Sequence, residues 1–367
     1  MRSLRESVHC EGSSSKRNLR RAAFVVAGLL LMAATAAADW HGHDIFVLTS
    51  TNGATNNVVV FKLNTAGTPS LTLESTLPTG GAGGAGGNGG SVQFDGLLGA
   101  VVNYGSNTVS QLVRDGNSIR VARTINLAPD CEKPVSVALA DRRMFVVGAN
   151  CAESHAWPSG RPDGGVVKLT DNSAGQIVTG ESWAAVTLKS GSVLQLPLTR
   201  FGMLAGTSTT VTLPSGANDT PLGAAFWGDL LAFNPAHSAN SFALVNRNRQ
   251  VFPVAGPQPP FPANAPCWLA KGPGSIWYSG NSPDQSISVF FSDSTGGSFY
   301  KSVPLPGVPT DLAVSSDGQW LAAIFTGNAG TAGRVAVFSI DSYGGLSLAA
   351  MSDPIGVASF NGVAISQ

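Results

Sequence analysis

The chain alternates short apolar segments with turns rich in Gly, Asn, Asp and Ser. Such segments, bounded by turn residues at short intervals, are typical of the strands of an all-β protein. Seven segments resemble the first strand of a repeat: 91–95, 134–140, 175–180, 221–227, 267–272, 310–316 and 359–366. Each has a matching second strand: 97–103, 144–150, 183–188, 230–233, 275–279, 319–325 and 45–49. A spacing of roughly 40 to 50 residues per repeat is typical of β-propeller blades.

The two ends of the chain are out of phase with each other in this repeat. Residues 359–366 read as a first strand, whereas residues 45–49 read as a second strand. Pairing them would close a ring of four-stranded sheets and leave no free blade edge at the ends. The pattern therefore predicts a seven-bladed β-propeller over residues 44–367, with its terminal strands in one shared blade. Residues 165–170 are predicted as the third strand of their blade, whose fourth strand is expected to be short or absent.

The composition excludes several classes of function. Charged residues make up 12% of the chain, the formal net charge is zero, and no Lys/Arg cluster lies beyond residue 21. Nucleic-acid binding needs a concentrated basic surface. We therefore expect no nucleic-acid partner. No metal-ligand spacing of the CxxC or HExxH kind is present, so neither a metal nor a cofactor is expected. The alternative is a metal bound by His41, His43 and Asp44 at the new N-terminus.

The first 38 residues have the pattern of a secretory signal peptide. Basic residues up to Arg21 precede the apolar run 22–34, and small residues follow at 36–38. We expect cleavage there, leaving a tail at 39–43 and an exported protein, periplasmic or extracellular, without a membrane partner. Retention as an uncleaved anchor is the alternative.

Export changes the meaning of the cysteines, because disulfides persist in oxidising compartments. Cys131 precedes a predicted first strand, and Cys151 follows the second strand of the same blade. Loops at these two places emerge on one face of a propeller, so a Cys131–Cys151 disulfide is predicted, with two reduced thiols as the alternative. Cys267 is expected to be a free, buried thiol.

The segment VVNYGSNTVS at residues 101–110 resembles the second strand, turn and third strand of lactonase-like seven-bladed propellers. These include 6-phosphogluconolactonase and carboxymuconate cyclase. The segments PVSVA at 134–138 and DLAVSSDG at 311–318 are similar to the same group. The resemblance spans residues 44–366. It implies a propeller fold and lactone or muconate chemistry in a central channel.

The glycine-rich stretch 79–90 could suggest a phosphate-binding loop. Neither a following helix nor a closing Lys-Ser/Thr pair is present, and both belong to that motif. We therefore interpret it as a flexible loop near the mouth of the channel.

Candidate site residues concentrate between Cys151 and Asp163, which is interpreted as a long polar loop over the central funnel. The candidate acid/base and charge-stabilising residues are His155, Arg161 and His237. The candidate ligand-binding residues are Lys133, Glu153, Trp157 and Asn103. Other polar residues expected around the funnel are Asn52, Glu132, Asp163, Asp219 and Asn281.

Two functions are compatible with these residues. One is an exported lactonase-like or cyclase-like enzyme acting on a small cyclic anionic substrate. The other is a non-catalytic propeller that binds a ligand or partner at the funnel or at the aromatic-bearing segments Trp227, 257–262 and Trp268. We expect a monomer in either case.

Overall fold

Seven four-stranded antiparallel sheets surround a central channel, as the sequence pattern predicts. The structure is a computed structural model, and it describes residues 44–237, 240–255, 265–293, 296–326, 332–356 and 360–367. The predicted signal peptide and tail lie outside the described residues. Among the described residues, no helix is long and apolar enough to cross a membrane.

The strands of each blade are given from the channel outwards. Blade 1 comprises β28 (Asn361–Ser366), β1 (Ile45–Ser50), β2 (Asn57–Asn64) and β3 (Ser70–Pro78). Blade 2 comprises β4 (Val92–Asp95), β5 (Leu98–Asn103), β6 (Thr108–Asp115) and β7 (Ser118–Asn126), with a 3-10 turn at Tyr104–Ser106. Blade 3 comprises β8 (Ser136–Ala140), β9 (Arg143–Val147), β10 (Cys151–Ala156) and β11 (Arg161–Lys168).

The remaining blades follow the same order. Blade 4 comprises β12 (Ala174–Thr179), β13 (Trp183–Leu188), β14 (Ser192–Pro197) and β15 (Thr209–Val211). Blade 5 comprises β16 (Pro221–Trp227), β17 (Leu230–Pro235), β18 (Asn240–Val245) and β19 (Val251–Ala255). Blade 6 comprises β20 (Pro266–Lys271), β21 (Ile276–Asn281), β22 (Ser286–Asp293) and β23 (Gly296–Pro304). Blade 7 comprises β24 (Val308–Val314), β25 (Trp320–Thr326), β26 (Arg334–Ile340) and β27 (Leu346–Met351).

The ring closes as predicted from the phase of the termini. Strand β28 pairs antiparallel with β1, and Val47 faces Ile365 in the register. The chain ends are therefore held in one sheet by backbone hydrogen bonds. Apolar side chains then fill the space between neighbouring blades, as where Val47 and Val59 of blade 1 pack with Ile324 and Val335 of blade 7.

Blade 3 departs from the sequence expectation. Residues 165–168 belong to its fourth strand, β11, and its third strand is β10, in a segment interpreted as loop. The predictions of a short or absent fourth strand and of a long polar loop were therefore wrong. The hydrophobic pattern failed because β10 buries the polar residues Glu153, Ser154 and His155.

We name the two faces of the ring by their connections. The upper face carries the connections between blades and those between second and third strands. The lower face carries the turns between first and second and between third and fourth strands. Every first strand thus runs from the upper to the lower face, and its last residue lies at the lower end of the channel.

Candidate functional site

The glycine-rich loop, residues 79–90, enters the channel from the upper face. The Gly89 N–H donates to the Gly175 carbonyl of blade 4 at 3.2 Å, and the Gly90 carbonyl accepts from Val137 N–H of blade 3 at 2.9 Å. The Gly90 N–H donates to the Asp311 carboxylate of blade 7 at 3.1 Å. The end of the loop is therefore bonded to three blades across the channel.

The exposed part of the same loop is also held in place. The Asn52 side-chain oxygen accepts from Gly84 N–H at 2.7 Å and from Ala85 N–H at 3.0 Å, and its amide donates to the Ala85 carbonyl at 2.6 Å. The Lys189 ammonium donates to the Gly87 carbonyl at 3.0 Å. The loop is therefore held in a defined position at the upper mouth of the channel. The flexible loop expected from the sequence is not observed.

Glycine is required where this loop meets the rest of the ring. A Cβ on Gly83 would overlap the backbone of Asn52, and a Cβ on Gly89 would lie 2.5 Å from the Gln176 side-chain oxygen. Gly90 adopts a φ of +68°, which side chains other than glycine rarely adopt. The glycines therefore permit close approach of the backbone to the channel wall.

Asp311 lies beneath the loop and was not identified from the sequence. Its carboxylate accepts hydrogen bonds from the backbone N–H groups of Gly90 (3.1 Å), Val363 (3.3 Å) and Leu312 (2.9 Å). Burial raises its pKa to about 7, and the three backbone donors oppose that rise. This side chain links blade 7 to the glycine-rich loop and to the closing strand β28. The available signal was a carboxylate within the apolar strand β24.

The predicted disulfide is present on the upper face. Cys131 and Cys151 are bonded, and their Cα atoms lie 5.3 Å apart. The bridge ties the entry of blade 3 to its third strand. Cys267 is a free thiol, and burial raises its pKa.

His155 and Glu153 form a buried pair inside blade 3 rather than facing the funnel. The His155 Nε2 lies 2.8 Å from Glu153 Oε1, and its Nδ1 lies 3.0 Å from the Gly160 carbonyl oxygen. The Glu153 carboxylate also accepts from the Ala128 N–H, at 3.3 and 3.1 Å. Both histidine nitrogens are occupied and the ring has no exposed surface. In this arrangement the pair stabilises the sheet and offers no group to a substrate.

Arg161 lies at the opposite end of the same hairpin. It pairs with Ala156, whereas Cys151 at the upper end pairs with Lys168. Arg161 is therefore at the lower end of the outermost strand, away from the channel. Trp157 is buried at the same lower end, and its indole nitrogen has no hydrogen-bond partner among the described residues.

Asn103 is buried and has no free hydrogen-bonding capacity. Its amide nitrogen donates to Thr108 Oγ1 at 3.1 Å and to Ser110 Oγ at 2.8 Å. Its oxygen accepts from Asn56 at 3.0 Å and from Thr79 at 2.7 Å. An asparagine side chain makes about four hydrogen bonds in total, so these bonds use them all. Asn103 fixes the β5–β6 turn instead of binding a ligand.

The same clamp recurs in blade 6, where a ligand-facing role was also expected. The Asn281 amide donates to Ser286 Oγ at 3.1 Å and to Ser288 Oγ at 2.8 Å. Of the ligand-binding candidates, Lys133 remains exposed on the upper face, and its backbone N–H donates to Asn107 Oδ1 at 2.8 Å.

His237 lies on the upper face of blade 5, away from the other two candidate catalytic residues. Its Nδ1 is 2.9 Å from Thr220 Oγ1 and 3.7 Å from the Asp219 carboxylate. The ring is exposed, whereas His155 is buried in blade 3 and Arg161 lies at the lower end of that blade. The structure does not bring these three residues to one pocket.

The lower face presents a different group of side chains around Lys271. This lysine ends β20, and its ammonium lies 5.3 Å from the ring centroid of Trp227 and 5.2 Å from that of Trp277. The ammonium also donates to the carbonyls of Gly272 and Gly274. Burial lowers the pKa of Lys271 to about 8. Trp227 was named from the sequence, whereas Lys271 was missed.

A pocket of about 300 Å³ opens beside this lysine. Its walls are the Lys271 side chain, the following turn and the turn after β24: Gly272, Pro273, Val314, Ser315, Ser316, Asp317 and Gly318. The Trp227 side chain, on the other side of Lys271, is 42% exposed. We call Trp227, Lys271, Trp277 and the 315–318 turn the lower mouth.

The other aromatic segments proposed from the sequence do not reach this surface. Trp268 is buried, and its indole N–H donates to the Pro309 carbonyl at 2.6 Å. Residues 257–262 lie outside the described residues. Within the described part of the chain, no group of three or more His, Cys, Asp or Glu side chains could hold a metal ion.

Comparison with known proteins supports the fold. No protein-family model matches the chain, and no curated protein matches it. A protein from Lactobacillus plantarum superposes with a TM-score of 0.65 at 13% identity, covering 88% of this chain and 99% of that one. A proposed 6-phosphogluconolactonase from Bacteroides fragilis superposes with a TM-score of 0.62 at 12% identity, covering 90% and 99%.

A further similar structure is that of a protein with a different activity. Virginiamycin B lyase from Staphylococcus aureus, solved as an inactive variant with quinupristin, gives a TM-score of 0.53 at 14% identity, covering 78% of this chain and 93% of that one. Likeness at such identities establishes the fold without the chemistry. The seven-bladed β-propeller fold implied by the sequence resemblance is thus confirmed.

Proposed function

We propose that this protein is a non-catalytic ligand-binding propeller whose ligand binds at the lower mouth. The observation that carries the proposal is the contrast between the channel ends. The upper end is filled by the protein's own glycine-rich loop, whereas the lower end presents an exposed indole, an ammonium group and a pocket.

The chemistry of the lower mouth defines the class of ligand. The exposed Trp227 indole offers a stacking surface for a planar group. The Lys271 ammonium attracts an anionic group, and the hydroxyl-bearing turn 315–318 supplies polar contacts. A pocket of about 300 Å³ lies at the small end of ligand sites. The ligand is therefore a small molecule that combines a planar unsaturated part with a carboxylate or similar anion.

The fold likeness to the B. fragilis protein favours a second candidate function, a lactonase-like or cyclase-like enzyme. In that function a small cyclic anionic substrate would enter the central funnel. The buried His155–Glu153 pair and the bonded glycine-rich loop weigh against this candidate, because substrate would have to displace the loop. For either function we propose an exported protein, since the Cys131–Cys151 bridge suits an oxidising compartment.

Ligand-observed NMR with benzoate, 2-furoate and phenylacetate tests the proposal. We expect saturation transfer to at least one of these carboxylates. Trp227→Ala should weaken the binding of that carboxylate at least tenfold, because the stacking surface is removed. Phe201→Ala is the matched control, since Phe201 is an exposed aromatic residue (60%) on another lower-face connection.

A hydrolysis assay with a panel of lactones, including a phosphorylated sugar lactone, separates the two candidate functions. Absence of turnover, together with Trp227-dependent binding, supports the binding propeller. Lactone turnover, or carboxylate binding that is equal in the wild-type protein and Trp227→Ala, would overturn it.

A further inference from the structure

Lys271 occupies an unusual position for a lysine in this chain. It faces Trp277 across the β20–β21 pair and Trp227 across the gap between blades 5 and 6. Trp277 is fully buried, so the inner side of the ammonium faces an apolar wall. The Lys271 side chain thus packs against both indole rings and also lines the 300 Å³ pocket.

The surroundings act on the amine in two opposing directions. The indole faces attract an ammonium ion, which favours the charged form. The bulk of the indoles and the packing of the blades exclude water, which disfavours it. The exclusion of water is the stronger effect, and it lowers the pKa of Lys271 to about 8. At pH 7 about a tenth of such a lysine is neutral, against less than about a thousandth of an ordinary lysine.

We propose that Lys271 is a nucleophilic amine that binds a small aldehyde or ketone at the lower mouth as an imine. This inference rests on the proposed function for the location of the ligand site. The neutral amine nitrogen adds to the carbonyl carbon and gives a carbinolamine. Loss of one water, made from the carbonyl oxygen and the two hydrogens of the amine, leaves a C=N double bond.

The hydrogen bonds of Lys271 are compatible with this reaction. The ammonium donates to the carbonyls of Gly272 and Gly274, which lie in the partly exposed and exposed turn after β20. Water can replace the lysine at these carbonyls once the imine has formed. No buried acceptor at the turn is then left without a partner.

Burial also lowers the pKa of Lys189, whereas two other lysines lie beside a carboxylate. Lys168 and Lys62 are paired with the Asp130 and Asp44 carboxylates at 2.8 and 2.7 Å, and each is partly or largely exposed. An adjacent carboxylate favours the ammonium form. These lysines therefore serve as internal references for the reactivity of Lys271.

Borohydride trapping with glyoxylate and with pyridoxal tests the inference. Peptide mapping of the wild-type protein should show Lys271 labelled at least tenfold faster than Lys168 and Lys62, with a half-maximal rate near pH 8. Lys271→Arg keeps the charge and the stacking but removes the nucleophile, so labelling at this site should be lost. Lys168→Arg is the control and should leave the labelling of Lys271 unchanged.

The outcomes separate this inference from the proposed function. Labelling of Lys271 at the rate of the reference lysines would overturn the inference, even where benzoate binding depends on Trp227. Fast labelling without any Trp227-dependent carboxylate binding would support the reactive amine and overturn the proposed function. The melting temperature of Lys271→Arg shows whether its fold is intact.

Discussion

The two ends of the channel are built from different parts of the same repeat. At the upper end, long connections meet, and the glycine-rich loop bonds through its backbone to blades 3, 4 and 7. At the lower end, tight turns leave the last residues of the first strands to define the surface, as Trp227 and Lys271 do. The upper end is thus a structural closure, and the lower end presents chemistry.

The largest expected effect is the pH dependence of stability that Asp311 contributes at the upper end of the channel. Its pKa in the folded protein is about 7, against an ordinary 3.8, so the folded state binds this proton more tightly than the unfolded chain does. Its contribution to stability is therefore complete below about pH 4 and is lost as the pH rises through about 7. The loss amounts to about 4 kcal/mol.

Denaturant unfolding of the wild-type protein and Asp311→Asn between pH 4 and 8 measures this effect. The amide does not ionise, so the variant should lack this part of the decline in stability. Asp115→Asn, at an exposed position, is the control and should keep the wild-type profile. Equal profiles for the wild-type protein and Asp311→Asn would show that Asp311 does not titrate beneath the loop.

The second test removes the disulfide from the upper face. Replacing Cys131 and Cys151 with Ala frees a loop with a sequence separation of 20. We expect the free energy of unfolding to fall by about 3 kcal/mol, because the unfolded chain regains entropy. Denaturant unfolding measures the loss of stability. Peptide mapping of the wild-type protein without reduction should recover Cys131 and Cys151 in one disulfide-linked peptide. Recovery as free thiols would contradict the bridge.

The third test targets the closure itself. Gly83→Ala places a Cβ on the backbone of Asn52 and should destabilise the protein by about 2 kcal/mol, as overpacking does. Hydrogen exchange should speed up at Gly84 and Ala85, whose N–H groups bond to Asn52. Gly86→Ala is the matched control, since its Cβ meets nothing within 4 Å. Equal exchange in both variants would mean that the loop is not held by this contact.

The smallest expected effect comes from Arg161→Ala. Arg161 is exposed at the lower end of the outermost strand of blade 3, so stability should change by less than about 0.5 kcal/mol. Benzoate binding at the lower mouth should change less than twofold by NMR titration. A tenfold loss would instead support the ligand site that the sequence predicts between Cys151 and Asp163.

Much of the fold could be predicted because it depends on short-range patterns. The phase of residues 359–366 and 45–49 was sufficient to predict the β28–β1 closure, since pairing follows from strand order. The blade 3 disulfide was predictable because both cysteines lie at the upper end of one blade, Cys131 on its entry connection and Cys151 at the start of its third strand. The third strand of that blade was not predictable, because the polar side chains of Glu153 and His155 can be buried only when they are hydrogen-bonded to each other in the folded sheet.

The sequence by itself determined the number of blades, the closure of the ring and the disulfide, since these follow from periodicity and from spacing within a single blade. Tertiary structure decided which polar residues are available. Asp311 meets Val363 of the neighbouring blade and Gly90 of the glycine-rich loop only in the closed ring, and Lys271 meets Trp227 only where blades 5 and 6 pack together. Burial, hydrogen bonding and pKa depend on such distant neighbours, which no local pattern of apolar and polar residues specifies.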